Sequence, residues 1–435
     1  MRVRGPRVFP PGFIWGTATS AYQVEGYNVH ADWWEWEQQP GRIRGGDRSG
    51  AACGWWERAE EDFDLAARLH QTGHRLSVEW SRIQPAPGRW EEAAVDRYRR
   101  MLRALRERGI EPMVTLHHFT TPQWFARRGG WEAPDAPDLF ARFVEQVVPA
   151  LAEFTSLWCT VNEPMGWVFS AYTAGRWPPG HRSLRRALRA AAGLVRAHAA
   201  AYRIIHRVQP HARVGFANYF RLFDPARPRA PDRWAAAVRD RLLNWAFVQA
   251  VTEGRVEAFP WRQRFPGAEG TLDFVGVNYY TRDLVAFDPR YPRRLFGRHF
   301  HPPGCEMSDG GYGEVYPQGL YRVVRSCARL GLPVYVTENG IPDADDDQRP
   351  RFIVRHLAWL WRALQDGVPV RGYYYWSLVD NFEWAEGWSL KFGLVAVDPL
   401  TQARTVRPSA WVYAQICREG ALSEDLLRRW ATPSD

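Results

Sequence analysis

Leu320-Tyr321-Arg322-Val323-Val324-Arg325-Ser326-Cys327-Ala328-Arg329-Leu330-Gly331-Leu332-Pro333-Val334-Tyr335-Val336-Thr337-Glu338-Asn339-Gly340 holds one complete helix–turn–strand unit. Leu320, Val323, Val324, Cys327 and Leu330 recur at helical spacing, so they share a face, and Gly331 stops the helix. The run from Val334 then reads as a short strand, apolar until it meets a Glu–Asn pair. The rest of the chain repeats this unit. Candidate strands are 13–18, 74–79, 112–118, 158–163, 213–218, 273–280, 334–339 and 371–378, eight in all. Several are near-continuous apolar runs, as parallel strands buried on both faces must be. Between them, Val95, Tyr98, Met101, Leu102 and Leu105 trace one helix face that ends at Gly109. Leu184, Leu188, Ala191, Val195, Ala199, Tyr202 and Ile205 trace another, with Ser183 as its N-cap. Eight strands alternating with helices predict an α/β fold, a (β/α)8 TIM barrel; an open doubly wound sheet is the alternative. No low-complexity linker or fixed repeat divides the chain, so residues 1–435 read as a single domain.

Bulk properties narrow the class. With 46% hydrophobic and 24% charged residues among 435, the chain has the composition of a globular protein with a large core. No apolar run approaches the roughly 18 residues a membrane span needs. The basic N-terminus is followed by no apolar leader, and the five cysteines are scattered with no CxxC pair. Both readings point to the cytoplasm, and the cysteine spacing argues against a disulfide framework or a zinc site. The net charge of +9 invites a nucleic-acid partner, but Lys391 is the only lysine and the arginines are spread along helices among acids. A nucleic-acid binder shows a continuous basic stripe instead, so neither nucleic acid nor membrane is expected as a partner.

In a parallel barrel, chemistry sits at the C-terminal ends of the strands. The fourth candidate strand ends in Thr160-Val161-Asn162-Glu163-Pro164 and the seventh in Val336-Thr337-Glu338-Asn339-Gly340. Either glutamate alone reads as a surface carboxylate. Together, facing each other over one barrel mouth, they suit glycoside hydrolysis, with one acid/base and one nucleophile. Residues 373–388 alternate aromatics with acids, among them Trp376, Glu383, Trp384, Glu386 and Trp388. Indole faces stack on the C–H face of a sugar ring, and carboxylates accept from its hydroxyls. Arg75 and Tyr280 lie where they could hold Glu338 ionised. His117 and His118, adjacent on a strand, point to opposite faces and cannot easily share a metal ion, and His70 and His74 are separated by Gly73. No metal and no cofactor is expected. Two stretches without periodicity, 27–55 and 281–313, each follow a strand's end and read as loops of the mouth.

These motifs together resemble glycoside hydrolase family 1, the family of retaining β-glucosidases, over nearly the whole chain. The resemblance is carried by Phe13-Ile14-Trp15-Gly16-Thr17-Ala18-Thr19-Ser20-Ala21-Tyr22-Gln23-Val24-Glu25-Gly26, by Arg75-Leu76-Ser77-Val78-Glu79-Trp80-Ser81-Arg82-Ile83, by Asn278-Tyr279-Tyr280, and by the two Glu motifs and the 373–388 segment, all in the family's order. It implies Glu163 as acid/base and Glu338 as nucleophile. It implies Gln23, His118, Asn162, Glu383 and Trp384 as ligands of the sugar hydroxyls and Trp376 as the stacking platform. Arg75 and Tyr280 would contact the nucleophile, Asn278 would support the acid/base, and the Glu338 charge would raise the Glu163 pKa. An intact Glu383 implies unphosphorylated β-glycosides or short oligosaccharides, with glucosides first and galactosides and fucosides second. Transglycosylation through the same glycosyl-enzyme is the alternative activity, and a non-catalytic sugar-binding protein is a remoter one. Phe119 and Tyr312 stand where the family commonly has Trp, and residues 219–272 form a short segment for the family, which implies a more open cleft. Trp167, Phe119, Phe169 and Tyr172 read equally well as acceptor-side groups or as core.

Overall fold

The computed structural model describes residues 5–431; residues 1–4, on which much of the leader reading rests, lie outside them. Eight parallel strands form the central sheet: β1 (Ile14–Ala18), β2 (Gly73–Ser77), β3 (Glu111–Thr115), β4 (Leu157–Asn162), β5 (Arg213–Pro225), β6 (Phe274–Phe287), β7 (Val334–Asn339) and β8 (Val370–Trp376). Each pairs with the next in sequence. β8 also pairs with β1, and β5 pairs with β6, so the sheet closes and the open-sheet alternative is excluded.

Helices follow the strands around the outside. They include α1 (Trp55–Arg68), α2 (Glu92–Glu107), α3 (Ala136–Leu151), α4 (Leu184–Val208), α5 (Ala246–Glu253), α6 (Gln318–Cys327), α7 (Arg349–Gln365) and α8 (Pro408–Glu419). The expected cap on α4 is present, with Ser183 Oγ accepting from the Arg186 N–H at 3.4 Å. Gly331 takes the left-handed conformation, φ 68°, that ends the α6 segment.

Two apolar layers hold the molecule together. One lies between helices and barrel; the other fills the barrel, where Met113, Cys159, Phe274, Tyr335 and Tyr374 meet. Packing there alternates large with small. A Cβ on Gly16 would stand 2.4 Å from the Gly73 carbonyl oxygen and 2.8 Å from the Tyr374 ring, so a glycine is what lets that ring fill the barrel. Gly340 is constrained in the same way, since its Cβ would stand 1.8 Å from the Trp376 carbonyl oxygen. The glycine after Glu338-Asn339 thus lets β7 close against the end of β8.

The structure corrects the strand ends. Four ladders stop short of their predicted limits, at Ser77, Thr115, Asn162 and Trp376, because the chain leaves the sheet where polar side chains must turn to the mouth. His117 and His118 therefore follow β3 rather than end it. β5 and β6 do the reverse and run well past the barrel, paired from Leu222↔Arg282 to Pro225↔Val285. The strand Gly297–Phe300 adds antiparallel to β6, so part of the 281–313 stretch read as loop is a sheet extension. Charged residues interrupt its apolar alternation, and of these Asp283 and His299 line the cleft.

Candidate active site

Glu338 sits near the end of β7, where the register with β6 slips between Val336 and Glu338. Such an irregularity re-aims side chains at a strand's end. Both Thr337 and Glu338 consequently reach one polar network. Arg75 Nη1 on β2 donates to Glu338 Oε1 at 2.6 Å, and the Tyr280 hydroxyl on β6 donates to Oε2 at 2.6 Å. Arg75 is fully buried and is held by Thr115 at 3.1 Å and by Asn162 Oδ1 at 2.6 Å. Burial pushes the Glu338 pKa above the ordinary carboxylate range, and the Arg75 charge and Tyr280 hydrogen bond pull against it.

Glu163 follows β4 in a left-handed conformation, φ 45° and ψ 53°, which a glutamate rarely adopts and which turns its carboxyl into the mouth. Its side-chain partner is Asn278, whose Nδ2 donates to Oε1 at 2.8 Å. Thr337 fixes that amide by donating to Asn278 Oδ1 at 2.7 Å. Burial pushes the Glu163 pKa up to about 8, with the Glu338 charge as the second cause. The expectation named the Glu338 charge alone; burial in the site is the larger cause, and together they keep Glu163 protonated at neutral pH. The two carboxyls thus differ as an acid and its conjugate partner must. Glu338 has a guanidinium and a hydroxyl to hold its charge, while Glu163 has one neutral amide.

The opposite wall comes from the segment after β8. Trp376 Nε1 donates to Glu383 Oε1 at 3.2 Å, and burial pushes Glu383 up to about 8. His118 lies nearly parallel to Trp376, with ring centroids 5.9 Å apart, and to Trp384, 6.2 Å away. Asn162 Oδ1 is occupied by Arg75, so its Nδ2 must face His118 Nε2, at 3.1 Å. That leaves the His118 proton on Nδ1, a buried donor with no partner in the protein. Burial lowers the His118 pKa well below its usual value, so the ring is neutral.

These groups enclose a cavity of about 470 Å³. Glu163, Glu338, His118, Tyr280, Trp376, Glu383 and Trp384 line it. Gln23, Arg75, Asn162 and Asn278 stand behind the lining. Gln23 is fully buried, with its amide donating to Asn381 Oδ1 at 2.8 Å and to the Phe382 carbonyl at 3.0 Å. Of the four residues read as either acceptor side or core, Phe119 and Phe169 line the cavity, whereas Trp167 and Tyr172 pack against each other in the interior, 5.5 Å between rings. Tyr312 lines it too, 5.9 Å from the Tyr280 ring. His117 points away, against Trp131 at 5.0 Å. Sequence reasoning missed Thr115 and Thr337, which orient Arg75 and Asn278; a threonine inside an apolar strand gives no sign of the partner across the barrel. It also missed Arg221, Arg239, Asp283 and His299, which line the far side of the cavity. Among the described residues, Asp343, Asp345 and Asp347 form the group of acids close enough to share a cation, and they are not part of the cavity lining.

A closed parallel barrel with two unlike glutamates at the C-terminal mouth, walled by indoles, defines the barrel glycosidases as a class. Glycosyl hydrolase family 1 matches residues 6–421. The chain is 32% identical to β-glucosidase A of Thermotoga maritima over 96% of its own length and 99% of that protein. It is 33% identical to a β-galactosidase of Sulfolobus acidocaldarius, covering 96% of each. Among solved structures, a β-glycosidase from Pyrococcus horikoshii superposes with a TM-score of 0.93 at 39% identity, over 98% of this chain and 99% of that one. The chain belongs to glycosyl hydrolase family 1 and is a glycoside hydrolase.

Proposed function

We propose that the protein is a retaining β-glucosidase that removes terminal β-D-glucosyl residues from unphosphorylated glycosides or short oligosaccharides, with β-galactosides and β-fucosides as further substrates. The observation that carries this reading is the unequal support of the two glutamates. Glu338, charged and fixed by Arg75 and Tyr280, attacks the anomeric carbon. The glycosidic C–O bond breaks as Glu163 gives its proton to the leaving oxygen. Water then loses a proton to the Glu163 carboxylate and attacks the same carbon, which frees Glu338. Two displacements on one carbon leave its β configuration unchanged. The His118 N–H and the Glu383 carboxyl take the sugar hydroxyls, Trp376 stacks on the ring, and Gln23 and Asn162 hold those groups from behind. Relatives named β-glucosidase and β-galactosidase support the substrate class, as does the Thermotoga maritima β-glucosidase solved with glucoimidazole.

Incubation with an activated 2-deoxy-2-fluoro-β-glucoside should leave one sugar on the peptide holding Glu338, read by mass spectrometry, because the fluorine slows the second displacement. Turnover of a nitrophenyl β-glucoside without any adduct would count against this nucleophile and this mechanism. Glu383 sets a second expectation. A phosphate on the glucosyl 6-hydroxyl would have to leave water beside the Glu383 side chain, which offers it no cation, so the 6-phosphoglucoside should react at least about 100-fold more slowly, since burying an unpaired charge costs several kcal/mol. Equal rates would refute the exclusion. We also place the protein in the cytoplasm. All five cysteines are unpaired, and no helix among the described residues is long and apolar enough to cross a membrane. Recovery in a periplasmic or secreted fraction would overturn that placement.

A further inference from the structure

On the Glu163 side, the cavity wall is built from β5, the helix Ala230–Arg239 and the strand Gly297–Phe300, and its charges do not balance. Arg221 Nη2 donates to Asp283 Oδ1 at 2.7 Å. Asp283 also faces His299 Nδ1 at 3.4 Å, so its negative charge is already matched. Arg239 is 3% exposed, and its Nη2 donates only to the carbonyls of Arg294 and Gly297, the latter at 2.8 Å. Among the described residues, no carboxylate lies within ion-pair distance of Arg239. The Nε of Arg239 and the Nε of Arg221 are both buried without an acceptor. Burial, with repulsion from Arg294 and Arg221 and against the pull of Asp283, brings the Arg239 pKa down to about 10. Two guanidiniums, Arg221 and Arg239, thus draw on the one carboxylate of Asp283.

Burying an unmatched cation is costly, and a fold keeps one where something else supplies the counter-charge. The local backbone makes room for it. A Cβ on Gly297 would stand 2.6 Å from Arg239 Nε, so only glycine there admits the side chain. Arg221, Arg239 and His299 line the same cavity as Glu163, beside the apolar Phe223 and Leu243. The side of the acid is the side of the leaving group. Tyr219, whose hydroxyl accepts from Arg221 at 3.4 Å, also lines the cavity there, between the two.

We infer that this wall is a subsite for an anionic leaving group: a β-glucoside whose aglycone carries a carboxylate, sulfate or phosphate that pairs with Arg239 and Arg221. A guanidinium fork takes each of these oxyanions in two-point fashion, and flanking apolar groups cover the ring that bears it. The inference rests on the β-glucosidase reading and adds the class of aglycone to it.

The test compares kcat/KM for cellobiose with that for β-1,4-glucosyl-glucuronic acid, which has the same bond and leaving hydroxyl and differs only in the C6 carboxylate. Cellobiose bearing a 6-sulfate or a 6-phosphate on the reducing unit distinguishes the oxyanions. At least one anionic form should exceed cellobiose by roughly tenfold, as one charge-assisted pair provides. The advantage should shrink as NaCl rises from about 20 to about 500 mM. Arg239→Gln should bring the ratio close to one and Arg239→Lys should restore part of it. Parity or preference for cellobiose across all three forms in the unmodified enzyme overturns the subsite, whether or not the variants fold. Turnover of neither cellobiose nor a nitrophenyl glucoside overturns the underlying glucosidase reading as well.

Discussion

Glu338→Gly should lower kcat on β-glucosides by about 10⁴-fold or more, a loss of at least ~5 kcal/mol of transition-state stabilisation, with the residual rate coming from binding and the remaining charges. Without the carboxylate no covalent intermediate forms, yet the space it occupied remains open. Azide should enter that space, attack the anomeric carbon from the face Glu338 used, and release α-glucosyl azide, since a single displacement inverts the centre. Proton NMR of the product reads the configuration. A β-azide, or a variant within tenfold of the native rate, would show that Glu338 is not the nucleophile. The variant also leaves the Arg75 guanidinium, wholly buried, without its carboxylate. Removing one partner of a buried pair costs about 3–5 kcal/mol, so the melting temperature should fall, and azide should restore part of it by binding at the same cation.

Much of this site was legible in the sequence because strand ends carry their own signal. An apolar run that stops at Glu-Asn can be placed on a barrel rim without knowing the barrel's dimensions, and Glu163 and Glu338 were found that way. Arg75 and Tyr280 followed because they lie on strands of the same sheet, and Asn278 came from the family resemblance. What could not be read was pairing across the barrel. Nothing local marks Thr337 as the residue that turns Asn278 toward Glu163, or Asn339 as the tie that donates to the Tyr279 carbonyl at 2.7 Å and accepts from Tyr373 at 2.9 Å. The β5–β6 extension was missed for a related reason. Its residues pair with one another beyond the barrel, so their pattern carries charge on both faces, Arg221 and Asp283 toward the cleft and Asp224 and Arg282 away from it, unlike a buried strand. Arg239 on that wall looked like surface charge in the sequence because its isolation from carboxylates exists only in three dimensions.

Glu163→Ala should split substrates by their leaving groups. Cellobiose and alkyl glucosides need a proton on the departing oxygen, and their kcat/KM should fall about 10²–10⁴-fold, the usual contribution of a positioned acid. A dinitrophenyl glucoside leaves as a stable anion and needs no proton, so glycosylation of Glu338 should remain fast. The second displacement also loses its base, so the glycosyl-enzyme should accumulate and appear as a burst of dinitrophenol. Azide needs no base and should release β-glucosyl azide, the opposite anomer from that of Glu338→Gly. pH gives an independent reading of the same residue. In the proposed mechanism Glu163 enters the reaction protonated, and burial holds its pKa up to about 8, so the native kcat/KM for a poor leaving group should fall as pH rises through about 8. In Glu163→Ala that basic limb should disappear, while the acidic limb, set by ionisation of Glu338, should persist. A variant that slows all leaving groups equally and keeps the basic limb would move the acid to another residue. The geometry leaves little room for that. Of the other carboxyls lining the cavity, Glu383 is engaged by Trp376, Asp283 by Arg221, and Glu386 by Arg176 at the rim.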